Sequence, residues 1–373
     1  MKVLLIITGL GVGGAERLVT NLADEFSCAG HQVVLVFLNG ECELPPKNDQ
    51  VRLVNLEIRK DLFSLIKGLQ KLRLIIREMQ PDVVNSHLVH TNIITRILRL
   101  FTPMKRLICS AHNTNEEGRY RMLAYRLTDR MADISTNVSQ EAVVAFEQQR
   151  ALRPGRMLAI HNGINTQNFV FNASARIQSR KTLAVDDSTP LLLAVGRLWE
   201  PKDYPNLLRA FADLKSEPVL PQLVIIGDGP LRSEFEEMAR ALDIADRVRF
   251  LGIRHDIAAL MCACDVFVLS SAWEGFGLVV AEAMACERVV VATDCGGVKE
   301  VVGDAGYLVP PRDSDSLCLA LQKALRLPLN ERKRLGFDAR ERVIKKFSLE
   351  STADHYLAVY NGQVLQHAHE GDN

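Results

Sequence analysis

Short apolar runs, continuous rather than alternating, punctuate this chain from end to end and set the terms for its fold. Seven lie in the first half, at 3–7, 33–38, 51–56, 83–86, 106–111, 134–138 and 157–160. Six more follow at 191–195, 222–226, 247–251, 266–269, 289–293 and 307–309. A strand that is apolar on both faces must be covered on both faces, which is the condition of a parallel sheet flanked by helices. Amphipathic stretches separate the runs, so each half reads as an open βαβ sheet. The fold class expected is α/β, with two doubly wound Rossmann-like domains.

A length of 373 residues suits two domains. Their expected extents are 1–168 and 169–349. Residues 165–190, rich in Asn, Ser, Thr and Asp without a sustained apolar period, read as the linker. After Pro310-Pro311 the chain reads as helical, near 314–326, 330–346 and 350–367. The last of these is free to pack back on the first domain, and the polar tail from His367 to Asn373 is expected to fray.

The N-terminal run Met1-Lys2-Val3-Leu4-Leu5-Ile6-Ile7 is too short for a signal peptide's apolar core and runs into Gly9–Gly14, so it reads as a buried first strand. No window approaches the roughly 20 apolar residues of a spanning helix. The eight cysteines form no C-x-x-C pair, and most sit in apolar stretches, as small buried thiols do in a reducing compartment. A cytoplasmic protein is expected.

Glycine loops follow several of these strands. Gly9-Leu-Gly11-Val-Gly13-Gly14 has the G-x-G-x-x-G spacing that lets a phosphate approach a helix N-terminus. Taken alone, it fits a nicotinamide dehydrogenase, a nucleotide-sugar enzyme or a tight turn with no ligand. The second half is more specific. Gly196-Arg197 and Lys202 follow one strand, Gly227-Asp228-Gly229-Pro230 the next, and Ser270-Ser271-Ala-Trp273-Glu274-Gly275-Phe276-Gly277-Leu278 a third, opening a helix that carries Glu282. Asp294-Cys-Gly296-Gly297 follows a fourth. Open α/β sheets bind ligands beyond the carboxyl ends of their strands, so these loops share one rim. Arg197 and Lys202 suit a leaving diphosphate, and the N–H groups near Gly275 and Gly277 add the positive end of a helix. Trp199 and Trp273 read as packing residues, and His161 as structural.

Together, Gly13-Gly14-Ala15-Glu16, Gly196-Arg197 with Lys202, and Glu274 with seven residues before Glu282 resemble the retaining glycosyltransferases of family 4, bacterial polysaccharide and O-antigen enzymes among them. The resemblance implies the GT-B fold, in which the two Rossmann-like domains face each other across a cleft. It implies that Arg197 and Lys202 bind the donor diphosphate, Glu282 the ribose hydroxyls and Glu274 the transferred sugar. Backbone groups at Phe276, Gly277 and Leu278 would approach the sugar and phosphates, and the Gly13-Gly14 loop would reach the phosphates from the first domain. His112 would contact the sugar. The reaction expected is transfer from a nucleoside-diphosphate sugar, UDP-linked and carrying a hexose or N-acetylhexosamine, to a glycan or polyprenyl-diphosphate-linked acceptor, with retention. Another nucleotide-sugar enzyme on this scaffold (hydrolase, epimerase or phosphorylase) and a non-catalytic nucleotide-sugar binder are the alternatives.

No cofactor and no essential metal are expected. The single D-x-D candidate, Asp313-Ser314-Asp315, precedes an apolar helical run and reads as an N-cap. Net charge is zero overall, 45 Lys/Arg against 45 Asp/Glu, which disfavours nucleic acid. The zero conceals an imbalance, since residues 1–168 hold 21 Lys/Arg against 16 Asp/Glu. Residues 59–130 alone carry 14 basic against 6 acidic residues, Arg96, Arg99, Lys105, Arg119 and Arg126 among them. Leu62, Leu65, Leu69, Leu72, Ile76 and Met79 form an apolar helical stripe with Lys67 and Lys71 opposite. Two readings stand: a core-facing helix with solvated cations, or a basic face that meets an anionic membrane surface at the inner leaflet.

Overall fold

A computed structural model describes residues 1–11, 13–114, 118–214 and 219–363. Val12 of the first glycine loop, the side chain of Arg119 and the expected end of the last helix and tail (364–373) lie outside the described residues. The chain divides into two compact units, Met1–Gly163 with the segment from Leu349 onward, and Ile164–Ser348.

The first unit is built on β1 (Lys2–Ile7), β2 (Gln32–Phe37), β3 (Arg52–Asn55), β4 (Val83–His87), β5 (Leu107–Ser110), β6 (Ile134–Asn137) and β7 (Met157–Ala159). The second is built on β8 (Leu191–Val195), β9 (Gln222–Ile226), β10 (Val248–Phe250), β11 (Val266–Leu269), β12 (Val289–Thr293) and β13 (Tyr307–Val309). Each apolar run of the sequence is one of these strands. Their orders are β3-β2-β1-β4-β5-β6-β7 and β10-β9-β8-β11-β12-β13, parallel throughout. Each order reverses once, between β1 and β4 and between β8 and β11, and these are the switch points where a doubly wound sheet opens a crevice.

Side-chain alternation along β1 shows why its run is continuous. Val3, Leu5 and Ile7 join the core under helix Gly14–Cys28, whereas Leu4 and Ile6 join the opposite core under helix Leu62–Met79. The closing helix, Leu349–Tyr360, belongs to the first unit, where Ala353, Tyr356, Val359 and Tyr360 pack beside helix Gly14–Cys28. The chain leaves the second unit where it entered it, as Ile164 and Ser348 form a single parallel bridge.

Two expectations need correction. The segment 165–190 is not an extended linker, because it holds helix Ala173–Thr182, capped by Asn172 and packed on helix Ile257–Ala263. This helix has no apolar stripe since arginines anchor it. Arg180 is buried and donates to the carbonyls of Ala263, Asp186 and Thr189, while Arg176 pairs with Asp265 at 2.7 Å and Arg180 with the same carboxylate at 3.4 Å. The second correction is to the stripe on helix Leu62–Met79. Its buried residues are Gly68, Leu72, Ile75, Ile76 and Met79, while Leu62 is 72 % exposed. At Gly68 the helix presses on the segment that follows β3, where a Cβ would lie 2.4 Å from the Ile58 side chain, and its first turn overhangs the core.

Removing a buried cation that satisfies several carbonyls leaves them unpaired in low dielectric. Arg180→Met should therefore destabilise the second unit by about 3 kcal/mol or more, read as a lowered urea midpoint.

Candidate active site

The second unit's switch point gathers most of the residues singled out in the sequence. Arg197 and Lys202 follow β8, and Glu274 follows β11, so they come from the two adjacent strands on either side of the reversal. Lys202 Nζ and Glu274 Oε1 form an ion pair, with both side chains largely buried. Ser271 Oγ donates to the same Glu274 oxygen at 2.7 Å, and Ser270 Oγ donates to the Lys202 carbonyl at 2.9 Å. A carboxylate paired with an ammonium and a hydroxyl is fixed in orientation.

The loops that carry these groups are held by glycines at places where no side chain fits. A Cβ at Gly227 would stand 2.0 Å from the Gly196 carbonyl oxygen, and one at Gly229 would stand 2.3 Å from that of Leu198. Leu198 N–H donates to Asp228 O and Leu231 N–H to Leu198 O, which zips the β8 and β9 loops together. Tyr204 hydroxyl donates to the Gly196 carbonyl at 3.0 Å. Burial first, and the nearby Glu274 charge second, push that phenol's pKa up, so it stays a donor. On the other side, Gly296 has φ +58° and its Cβ would fall 1.9 Å from the Glu274 carbonyl oxygen. Gly297 N–H bonds Gly275 O at 3.2 Å, and Thr293 Oγ1 donates to Ser271 O at 2.6 Å.

Gly277, at φ +86°, precedes helix Leu278–Ala285, whose N-terminus therefore opens directly from the Glu274 loop. Phe276 turns its ring into the core, edge-on to Phe347 at 5.5 Å, so only its backbone is available to a ligand. Glu282 sits about one turn into the same helix and is buried. The tryptophans are not simple packing residues. Each is partly exposed with a guanidinium over its ring, Arg197 over Trp199 at 5.2 Å and Arg312 over Trp273 at 5.7 Å. Asp313 caps helix Ser314–Leu325, accepting from Ser316 N–H at 2.9 Å.

In the first unit, Gly14 begins helix Gly14–Cys28 and Gly13 is its N-cap residue. Glu16 folds back over Gly13, where a Cβ would lie 2.2 Å from its carboxylate. Burial raises the Glu16 pKa and its own backbone N–H partly offsets this. His112 lies just past β5, buried, with Nε2 3.1 Å from Nδ1 of His87 at the end of β4. Sequence reasoning missed His87, Ser270, Ser271 and Thr293. The serines stand beside Glu274 in the chain, but their role depends on which oxygen each meets.

The basic excess is partly internal. Arg96 is fully buried beneath Tyr125, Arg99 pairs with Asp133 at 2.8 Å and Lys105 with Asp82 at 2.7 Å. Arg59, Lys60, Lys67, Lys71, Arg77, Arg126 and Arg130 remain exposed. Beside them lie exposed Phe63, Ile66 and Leu74 on helix Leu62–Met79, and Tyr120, Leu123 and Leu127 on helix Arg119–Thr128. An open groove of about 610 Å³ is lined by Arg59, Phe63, Lys67, Lys71 and Leu74 among others. Among the described residues no helix is long and apolar enough to cross a membrane.

With this geometry in hand, comparison with known proteins is decisive. The family described as "Glycosyl transferases group 1" matches residues 175–342, and "Glycosyltransferase Family 4" matches residues 12–168. The chain belongs to this glycosyltransferase family. N-acetyl-alpha-D-glucosaminyl L-malate synthase of Bacillus anthracis is 30% identical over 61% of this chain, and the match spans 59% of that protein's length. The N-acetylgalactosamine-N,N'-diacetylbacillosaminyl-diphospho-undecaprenol 4-alpha-N-acetylgalactosaminyltransferase of Campylobacter jejuni is 27% identical over 87% of this chain and 90% of its own. A Rickettsia africae glycosyltransferase superposes with a TM-score of 0.86 at 18% identity, covering 97% of this chain and 98% of that one. Anabaena Alr3699/HepE in complex with UDP superposes with a TM-score of 0.85 at 22% identity, covering 97% of this chain and all of that one. These likenesses show the GT-B fold.

Two outcomes test the site as a physical object. Gly296→Ala would need a Cβ where the Glu274 carbonyl stands. It should lower the thermal midpoint measurably and reduce turnover about tenfold or more by displacing Glu274. The pH dependence follows from the buried imidazoles. Burial lowers the His112 pKa from 6.5 to about 4, and that of His87 well below its ordinary value. Between about pH 6.5 and 4 the unfolded chain binds protons that the folded chain excludes, so stability falls as pH drops through this window. In urea titrations across that range, His112→Asn should show a shallower fall than the parent.

Proposed function

We propose that the protein transfers a hexose or N-acetylhexosamine from a nucleoside-diphosphate sugar to a hydroxyl of a glycan or polyprenyl-diphosphate-linked glycan, with retention of anomeric configuration. The observation that carries this reading is the Lys202–Glu274 pair at the second unit's switch point, with Arg197 on the same β8 loop. Donor binding exchanges partners. Lys202 and Arg197 turn to the diphosphate, Glu274 to the sugar hydroxyls, and Glu282 to the ribose. His112 contacts the transferred sugar, and the Gly13-Gly14 loop the phosphates.

The bond from the anomeric carbon to the phosphate oxygen breaks with its electron pair on the oxygen. Arg197, Lys202 and the N–H groups at the start of helix Leu278–Ala285 stabilise that charge. The acceptor oxygen attacks from the face the diphosphate leaves, and its proton passes to the departing phosphate. A double displacement would need a carboxylate at the anomeric carbon, and Glu274, the one obvious candidate, is assigned instead to the sugar hydroxyls. Because the chain's own cations meet the diphosphate, no divalent metal is required. UDP is the nucleotide proposed, supported by the UDP complex of the Anabaena neighbour. The lipid-linked acceptor is supported by the diphospho-undecaprenol enzyme of Campylobacter jejuni.

The first unit is proposed as the acceptor side, resting peripherally on the inner face of the membrane. Exposed Phe63, Ile66, Leu74 and Tyr120, interleaved with Lys67, Lys71 and Arg126, suit an anionic interface.

A panel of nucleotide sugars against lipid-linked acceptors, read by nucleotide release and product mass, tests the whole. Release is expected only when an acceptor is present; equal release without one would indicate hydrolysis. Arg197→Ala and Glu282→Ala should each lower kcat/KM about tenfold or more, and unchanged kinetics would remove them from the site. Turnover should survive EDTA, and NMR of the product linkage should show the donor's anomeric configuration. Sedimentation with anionic vesicles should fall with salt and with Phe63→Glu.

A further inference from the structure

His112 does not stand alone, and the group behind it has no part in the mechanism so far. His87 ends β4, and β4 pairs with β5 so that His87 is level with Ser110, two residues before His112. The rings meet edge to edge, His87 Nδ1 3.1 Å from His112 Nε2, with centroids 5.3 Å apart. The remaining nitrogens, His87 Nε2 and His112 Nδ1, are buried and have no hydrogen-bond partner among the described residues. The next residue, Leu88, has φ +75°, a conformation that a branched side chain adopts only when its surroundings impose it. Thr91 Oγ1 donates to the His87 carbonyl, and the Tyr356 ring lies 6.2 Å from that of His87. The backbone is therefore strained at the point that aims His87 at His112.

Two neutral imidazoles that share one hydrogen bond must hold opposite roles. If His87 Nδ1–H donates, His112 carries its own hydrogen on Nδ1 and His87 Nε2 is bare. In the reverse arrangement an unpaired N–H would lie at His87 Nε2. His87 is 0 % exposed and His112 9 %. An unpaired N–H is the costlier orphan, and the less enclosed of the two rings is where it costs least.

We propose that His87 is a positioning residue, which donates Nδ1–H to His112 Nε2 and so holds the His112 ring in one plane and in the Nδ1–H form. This rests on the reading of His112 as a sugar contact, but the tautomer of His112 is a property of the protein alone. The pair lets the ring donate a hydrogen bond while remaining uncharged. It fixes the ring plane as well, since rotation about the side chain would break the shared bond.

The test combines spectroscopy of the full chain with three variants. In protein labelled with ¹⁵N-histidine, the His112 resonance, assigned by its loss in His112→Asn, should show a protonated Nδ1 and a bare Nε2. In His87→Ala that preference should vanish and kcat should fall about tenfold or more, with donor KM changing less than about threefold. His87→Asn, whose amide can place an N–H near the lost Nδ1, should recover most of kcat and the tautomer. A wild-type His112 protonated at Nε2 would overturn the proposal without any variant having to fold. So would a His87→Ala protein with unchanged tautomer and unchanged kcat. If instead His112→Asn turns over normally while the wild-type tautomer is as stated, the sugar-contact reading fails and the His87 assignment stands.

Discussion

Close contact between glycine-lined backbones is the constraint on which the second unit's chemistry depends. Gly227 lies on Gly196, Gly229 on Leu198 and Gly296 on Glu274, each at a separation that excludes any side chain. Loops are ordinarily the mobile part of a parallel sheet, because they leave the ladder that orders the strands. Here the ends of four neighbouring strands, β9, β8, β11 and β12, are locked to one another by N–H to carbonyl bonds, Leu198 to Asp228, Ala272 to Pro201 and Gly297 to Gly275. The rim behaves as an extension of the sheet. A lysine and a glutamate from different strands can then be held together without a rigid helix beneath either.

That rigidity gives the Lys202–Glu274 pair a meaning beyond surface ion pairing. Exposed pairs contribute little, since water screens them and two long side chains lose freedom. This one is mostly buried, and Ser271 holds the carboxylate from a second direction. A buried pair of opposite charges is a weak source of stability, but it holds both side chains in place. In the donor-free protein each charge serves as the other's counterion. A donor that carries phosphate for the lysine and hydroxyls for the glutamate can replace both partners at once. A ligand with only one of these would leave a charge uncompensated.

How much of this could be read from the residues depended on how local each cause was. The strands were legible because burial on both faces writes itself as an unbroken apolar run, and Val3 to Ile7 show both faces in five residues. The rim was legible because glycine and charge follow a strand end in the chain itself. Helix Ala173–Thr182 was not, since Arg176 and Arg180 do with hydrogen bonds to residues far along the chain what an apolar stripe usually does. The overhang of Leu62 depended on where Gly68 meets Ile58, a matter of packing. Arg96 counted as a surface cation until its burial under Tyr125 became visible. The charge excess of residues 59–130 is thus smaller at the surface than in the sequence.

The two sheets, alike in topology, hold different chemistry toward the carboxyl ends of their strands. Between β8 and β11 the groups are formally charged, with Lys202 and Glu274 in contact. On the last residues of β4, β5 and β6 lies a buried hydrogen-bonded network of uncharged groups. Asn85 donates to Ser110 Oγ at 2.9 Å and Thr136 Oγ1 donates to the same oxygen at 2.8 Å, while Tyr360 hydroxyl donates to Asn85 Oδ1 at 2.7 Å. Such a network orders its members because any partner left out would be costly in low dielectric. It also disfavours charge, which is why both imidazoles are held neutral. The division follows from which side chains the strands release at their carboxyl ends, a lysine and a glutamate in the second unit and amide, hydroxyl and imidazole groups in the first.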